Sequence, residues 1–112
     1  MMDKKNKSSI ISRIKWEFVL YIMEDSVASM KAESTLRQIC DRYLSGQYKL
    51  TIVDIDDESA QIPPDIYAVP TAVRIFPRPE MRVIGDLSAI SKTLKGLGLE
   101  ELQLLNKINS DI

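Results

Sequence analysis

Asp54, Asp56, Asp57 and Glu58 crowd the end of the apolar run Leu50-Thr51-Ile52-Val53, and by type and spacing they are the residues best placed to do chemistry. An Asp-x-Asp pair at a strand end is the arrangement of phosphatases that form an aspartyl-phosphate, in which one Asp attacks and the other carries a proton. Two features weigh against that use. The position two after the second Asp, where such enzymes have Thr or Val, is Glu58, and 112 residues leave no room for the later motifs of that fold. The reading preferred is a solvated acidic strand end. It also covers magnesium, because four carboxylates on a loop converge on a cation only when a rigid scaffold aims them.

Other chemistry is thinner still. The chain has no histidine, which removes Ser-His-Asp and Cys-His nucleophile systems and the commonest metal ligand. The four glycines, at 46, 85, 96 and 98, are isolated or near helix ends and build no phosphate-cradling loop. One cysteine, Cys40, cannot close an internal disulfide and suits the buried face of a helix as a small hydrophobe. A disulfide oxidoreductase needs Cys-x-x-Cys at the head of its first helix, where the thiolate pKa is lowered. That position reads Ser26-Val27-Ala28-Ser29. No catalytic residue, metal or cofactor is expected.

The elements that position these residues belong to one domain. Length 112, 45% hydrophobic and 28% charged residues are those of an ordinary globular chain with a single core. The formal net charge of −1 provides no global field for nucleic acid or acidic lipid. Lys4, Lys5, Lys7, Arg13 and Lys15 make the N-terminus basic, and the arm over 1–14 reads as a solvated, mobile end. No signal peptide and no membrane-length apolar run is visible, so a cytoplasmic protein is expected, in line with the lone cysteine.

Trp16 to Met23 is almost continuously apolar, aromatic and β-branched, the pattern of a central strand covered on both faces. Glu24-Asp25-Ser26 supplies turn and N-cap chemistry. Leu36, Ile39, Cys40, Tyr43 and Leu44 then keep helical spacing after Val27 and Met30, with Gly46 as a C-cap. Tyr48 to Ile55 predicts a second strand, completing a βαβ unit. Pro63-Pro64 blocks any long helix in 57–69, leaving a loop with at most a short helix. Thr71–Phe76 and Met81–Ile84 predict an antiparallel hairpin through Pro77-Arg78-Pro79-Glu80. Gly85-Asp86 predicts a helix N-terminus, with Leu87, Ile90, Leu94 and Leu97 at helical spacing after it. Residues 100–112 predict a tail helix that is marginal unless docked.

Several short motifs in this order resemble the KaiB family, from Phe18 to Leu99. They are Leu20-Tyr21-Ile22, Gly46-Gln47-Tyr48-Lys49-Leu50, Val53-Asp54-Ile55, Ala68-Val69-Pro70-Thr71 and, most specific, Arg82-Val83-Ile84-Gly85-Asp86-Leu87-Ser88 shortly after Pro77-x-Pro79. Val69-Pro70-Thr71 also looks like the thioredoxin cis-proline turn. The resemblance implies an α/β, thioredoxin-like KaiB domain over 15–99. It implies a regulator that catalyses nothing, docks on a KaiC-like ATPase hexamer and modulates it in a clock-related or a stress or signalling role.

Members of that family also change fold. The resemblance implies a resting homotetramer, a dimer of dimers, wired β-α-β-β-α-α-β, and a thioredoxin-like monomer, β-α-β-α-β-β-α, that binds the ATPase. The propensities of this chain match the second order. Gly85 and Asp86 match positions that set the balance between the two, and a glycine at φ > 0 suits such a hinge. Partner-binding or fold-switch candidates are therefore Pro70, Arg74, Arg82, Gly85 and Asp86, with Lys31, Arg37 and Arg42 as helix charges and Tyr21, Tyr48 and Phe76 as anchors. The turn Met23-Glu24-Asp25-Ser26-Val27 lacks the family's glycine and proline, and Pro63-Pro64 replaces an acidic run. Such departures suggest a divergent homologue. The alternatives are a detached sensor domain like that of the SasA kinase, or a small enzyme using Asp54 and Asp56 or Cys40.

Overall fold

The computed structural model describes residues 14–110, so the basic arm lies outside the described residues except for Ile14, as do the last two residues of the tail. The elements are β1 (Trp16–Ile22), α1 (Val27–Tyr43), β2 (Tyr48–Asp54), β3 (Thr71–Phe76), β4 (Met81–Ile84), α2 (Ile90–Gly96) and α3 (Glu100–Ser110). The sheet order is β2-β1-β3-β4, with β1 parallel to β2 and the other pairs antiparallel. This is the thioredoxin-like wiring, and the apolar run 16–22 is one of its two inner strands.

Strand alternation sorts the side chains. Phe18 and Leu20 pair with Arg74 and Ala72 of β3 and with Leu50 and Ile52 of β2, so these residues share one face. That face packs on Leu36, Ile39 and Cys40 of α1 and Leu44 just after it, and on Leu94 of α2 with Leu97 and Leu99 from the turn between α2 and α3. Burying side chains of this size stabilises by roughly 1.5–3 kcal/mol each, which gives the core its hold on the sheet. Tyr21, Val73, Thr71, Arg82 and Ile84 look the other way. Over that second face runs the segment 55–70, tied down by the ion pair of Arg82 Nη1 with Asp65 Oδ2 at 2.8 Å.

Two expectations need correction. The segment between β2 and β3 is the loop expected over 57–69, and it holds no helix, so the order is β-α-β-β-β-α-α rather than β-α-β-α-β-β-α. Pro63 and Pro64 remove two amide donors there, and a helix cannot close its ladder without them. Secondly, Gly85-Asp86 does not begin a helix. Asp86 Oδ1 instead accepts bonds from the Ser88 amide (3.0 Å) and hydroxyl (2.6 Å), Leu87 takes φ +65°, and α2 starts only at Ile90. The left-handed turn costs Leu87 roughly 1–2 kcal/mol. It is offset by sinking the side chain into the core, where it is 3% exposed.

Candidate functional site

The head of α1 stands at the carboxyl end of β1. Ser26 caps it: its hydroxyl accepts from the Ser29 amide at 3.2 Å, while Ser29 Oγ accepts from the Met23 amide at 3.1 Å. The two serines have the Cys-x-x-Cys spacing, yet their oxygens serve the backbone and present no nucleophile. The Val69–Pro70 peptide is cis, and the Pro70 carbonyl accepts from the Gly85 amide at 2.9 Å. This bond joins Pro70 to the Gly85-Asp86 turn. Gly85 adopts φ +120°, a conformation open to glycine and costly for any other residue. Asp86 is held below the usual carboxylate range by its Ser88 bonds and, to a lesser degree, by the charge of Lys31 on α1.

Pro70, Gly85, Asp86 and Lys31 are thus gathered at one pole. Pro70 is buried and shapes that pole through its backbone; Lys31 is exposed. The other candidates lie elsewhere. Arg37 sits six residues along α1, about 120° around the helix from Lys31, and forms an exposed pair with Glu33 at 3.3 Å. Such pairs stabilise by less than about 1 kcal/mol. Arg82 faces the opposite side of the sheet and is spent on Asp65 and on Glu80 (3.2 Å), with its pKa raised chiefly by the Asp65 bond.

Arg74, one of the partner-binding or fold-switch candidates, is only 6% exposed. Its Nη1 donates to the Leu97 carbonyl and Nη2 to the Pro79 carbonyl, both at 2.9 Å, and the guanidinium lies 5.8 Å from the Trp16 ring centre. Gly98 is pressed against it: a Cβ there, at φ +71°, would sit 2.3 Å from Nη1. The side chain clamps β3 to the β3–β4 turn and to the end of α2. Burial lowers its pKa, and Nε has no hydrogen-bond partner among the described residues. Of the aromatic candidates, Tyr21 is buried, Tyr48 donates its hydroxyl to Asp41 at 2.6 Å, and Phe76 is 52% exposed. Arg42 on the same helix is exposed and stacks against Tyr43.

Sequence reasoning missed the exposed apolar side chains. Val27 (67%) and Met30 (64%) on α1 face solvent although they count as apolar in the helical pattern. The signal was present, because both fall off the stripe that continues through Leu36, Ile39, Cys40 and Leu44. The acidic strand end does no shared work: Asp54 Oδ1 accepts from the Asp56 amide and Asp57 Oδ1 from Ser59, each carboxylate capping its own turn. Cys40 lies in the core, its thiol pushed up to about 12 by burial and then by Asp41. No helix among the described residues is long and apolar enough to cross a membrane.

Comparison with known proteins fits this architecture. A solved structure of chloroplastic thioredoxin z matches 88% of this chain and 89% of its own, with a TM-score of 0.58 at 21% identity, which speaks for the fold alone. The circadian clock oscillator protein KaiB of Prochlorococcus marinus (strain MIT 9312) is 40% identical over 81 residues, 71% of this chain and 77% of that protein. Its namesake from Synechococcus sp. (strain CC9311) is 37% identical over 95 residues, covering 83% and 80%. A Synechocystis protein named circadian clock protein KaiB3 is 35% identical over 81 residues, covering 71% and 79%. The family model for the KaiB domain matches residues 19–99, from the second half of β1 to the end of the α2 turn. The chain belongs to the KaiB family.

Proposed function

We propose that this protein works by docking: it binds a KaiC-like ATPase hexamer and modulates its turnover, in a clock-related or a stress or signalling setting, without catalysing a reaction itself. One observation carries this reading. The thioredoxin-like pole is kept, but its reactive position holds two backbone-bound serines, flanked by solvent-facing Val27 and Met30 and by Lys31 beside Asp86. A pole with apolar and charged groups but no nucleophile suits recognition. Gly85 and Asp86 form the hinge at which the C-terminal half would rewire into the resting tetramer, and Pro70 is bonded to that hinge. Arg74 serves the thioredoxin-like wiring from inside, and Arg37 and Arg82 are peripheral. The domain spans 15–99, works in the cytoplasm, and needs neither nucleic acid nor membrane.

The experiment is size-exclusion chromatography with light scattering on the full chain, alone and after hours with the host's KaiC-like ATPase and ATP, together with the ATPase rate. A ring-sized complex and a changed rate are expected. Val27→Asp and Lys31→Glu, both on exposed positions, should weaken the complex about tenfold or more while leaving the circular dichroism spectrum unchanged. Failure to form any complex after prolonged incubation overturns the reading.

A further inference from the structure

On the side of the sheet opposite α1, the segment 55–70 does not close on the strand ends. It leaves an open cleft of about 440 Å³ lined by Met23, Ile55, Ile62, Ile66, Tyr67 and Val69. The lining side chains are apolar apart from the Tyr67 hydroxyl, and Met23 (40%) and Tyr67 (84%) stand exposed at its lip. Its size lies in the lower part of the roughly 300–1,000 Å³ range of clefts that hold a ligand.

Carboxylates dominate the chain on either side of these lining residues. Glu24 and Asp25 follow Met23, Asp54 and Asp56 flank Ile55 with Asp57 and Glu58 beyond, and Asp65 precedes Ile66. Among the described residues, Arg82 is the one basic side chain in ion-pair contact with this segment, and it is already shared between Asp65 and Glu80. Among the described residues, Glu24, Asp25, Asp56 and Glu58 form no ion pair. The chain as a whole is close to neutral, at −1, so this is a local concentration of carboxylates around an apolar floor. Such a rim repels phosphate-bearing nucleic acid and anionic lipid, and it attracts a cationic chain.

We propose that this cleft docks a segment of a partner protein in which a bulky aliphatic or aromatic side chain is flanked by lysines or arginines. The apolar side chain fills the floor between Ile62, Ile66 and Val69, Tyr67 closes over it, and the flanking cations meet Glu24, Asp56 and Glu58. This site is separate from the pole around Lys31 and Asp86, and it does not depend on which ATPase the protein regulates.

The test is a titration of the ¹⁵N-labelled full chain with capped nonapeptides that carry a central Phe or Leu flanked by Lys/Arg, by Gln or by Glu. Amide shifts confined to Met23, Ile55 and 62–69 are expected for the basic peptides, with affinity at least about tenfold above the Glu-flanked set and falling with salt. Tyr67→Ala, at an exposed position that spares folding, should weaken binding about tenfold. The pair Glu24→Gln, Glu58→Gln should erase most of the preference for basic flanks. Three results each overturn the proposal: no shifts up to about 1 mM of any peptide, equal affinity for all flanks, or shifts on α1 instead. A chain that binds the basic peptide but never the ATPase would refute the proposed function and leave this site standing.

Discussion

Replacing Arg74 separates a structural clamp from a surface charge. In Arg74→Ala, the Leu97 and Pro79 carbonyls each lose a bond from a charged donor, about 1.5–3 kcal/mol apiece, and the Trp16 contact loses about 0.5–1 kcal/mol more. Against this, the unpartnered Nε disappears, returning about 1–3 kcal/mol. The balance is a loss near 3 kcal/mol. Arg74→Met refills much of the volume with an apolar chain and removes the same desolvation cost, so its loss should be smaller, about 1–2 kcal/mol. Urea unfolding followed by the fluorescence of Trp16, the only tryptophan, reads both variants beside the clamp itself. At an m-value of about 1.5 kcal/mol/M the Ala midpoint should fall by about 2 M and the Met midpoint by about 1 M. An Ala midpoint within about 0.3 M of the parent, or Ala no worse than Met, would refute the clamp.

Two further outcomes follow from single side chains. Cys40, 0% exposed and with its pKa pushed up to about 12, should resist iodoacetamide at pH 8 in the folded protein and react only on unfolding; rapid native labelling contradicts its place in the core. Tyr48, whose bond to Asp41 lifts its pKa to about 12, is held protonated more tightly in the folded chain. Its contribution to stability is therefore full below about pH 10 and lost as pH rises through 12. Tyr48→Phe should remove one high-pH step from the absorbance titration of the tyrosines and flatten that part of the stability curve.

Much of the fold could be read from the chain because local patterns and global packing agree. The 16–22 run, the helix capped at Ser26, the second strand and the hairpin around Pro77 to Glu80 each carry their own periodicity or punctuation, and each formed where expected. The misses came where packing outweighed propensity. Leu87 sits on a helical spacing from Ile90, yet the core drew it inward through a left-handed turn before α2 began. The site was legible in its motifs and opaque in its accessibility. Arg74 has the look of a surface charge, because nothing in its neighbours announces the carbonyls of Leu97 and Pro79 that would enclose it. Met30, by contrast, lies off the stripe through Leu36, Ile39 and Cys40, so its exposure was legible in the helical spacing.

What the sequence by itself determined is the family. The ordered motifs from Leu20 to Ser88 identify it, while the residue types offer no histidine and put serines where a redox pair would stand. Only the tertiary structure decided which of those residues are exposed. Exposure depends on contacts between segments far apart in the chain: the close of α2 on Arg74, the approach of Lys31 to Asp86, and the run of 55–70 across the sheet that leaves Met23 and Tyr67 at the lip of a cleft. Periodicity is a local property and can place a side chain on one face of its own element. Whether that face is covered is settled by what packs against it.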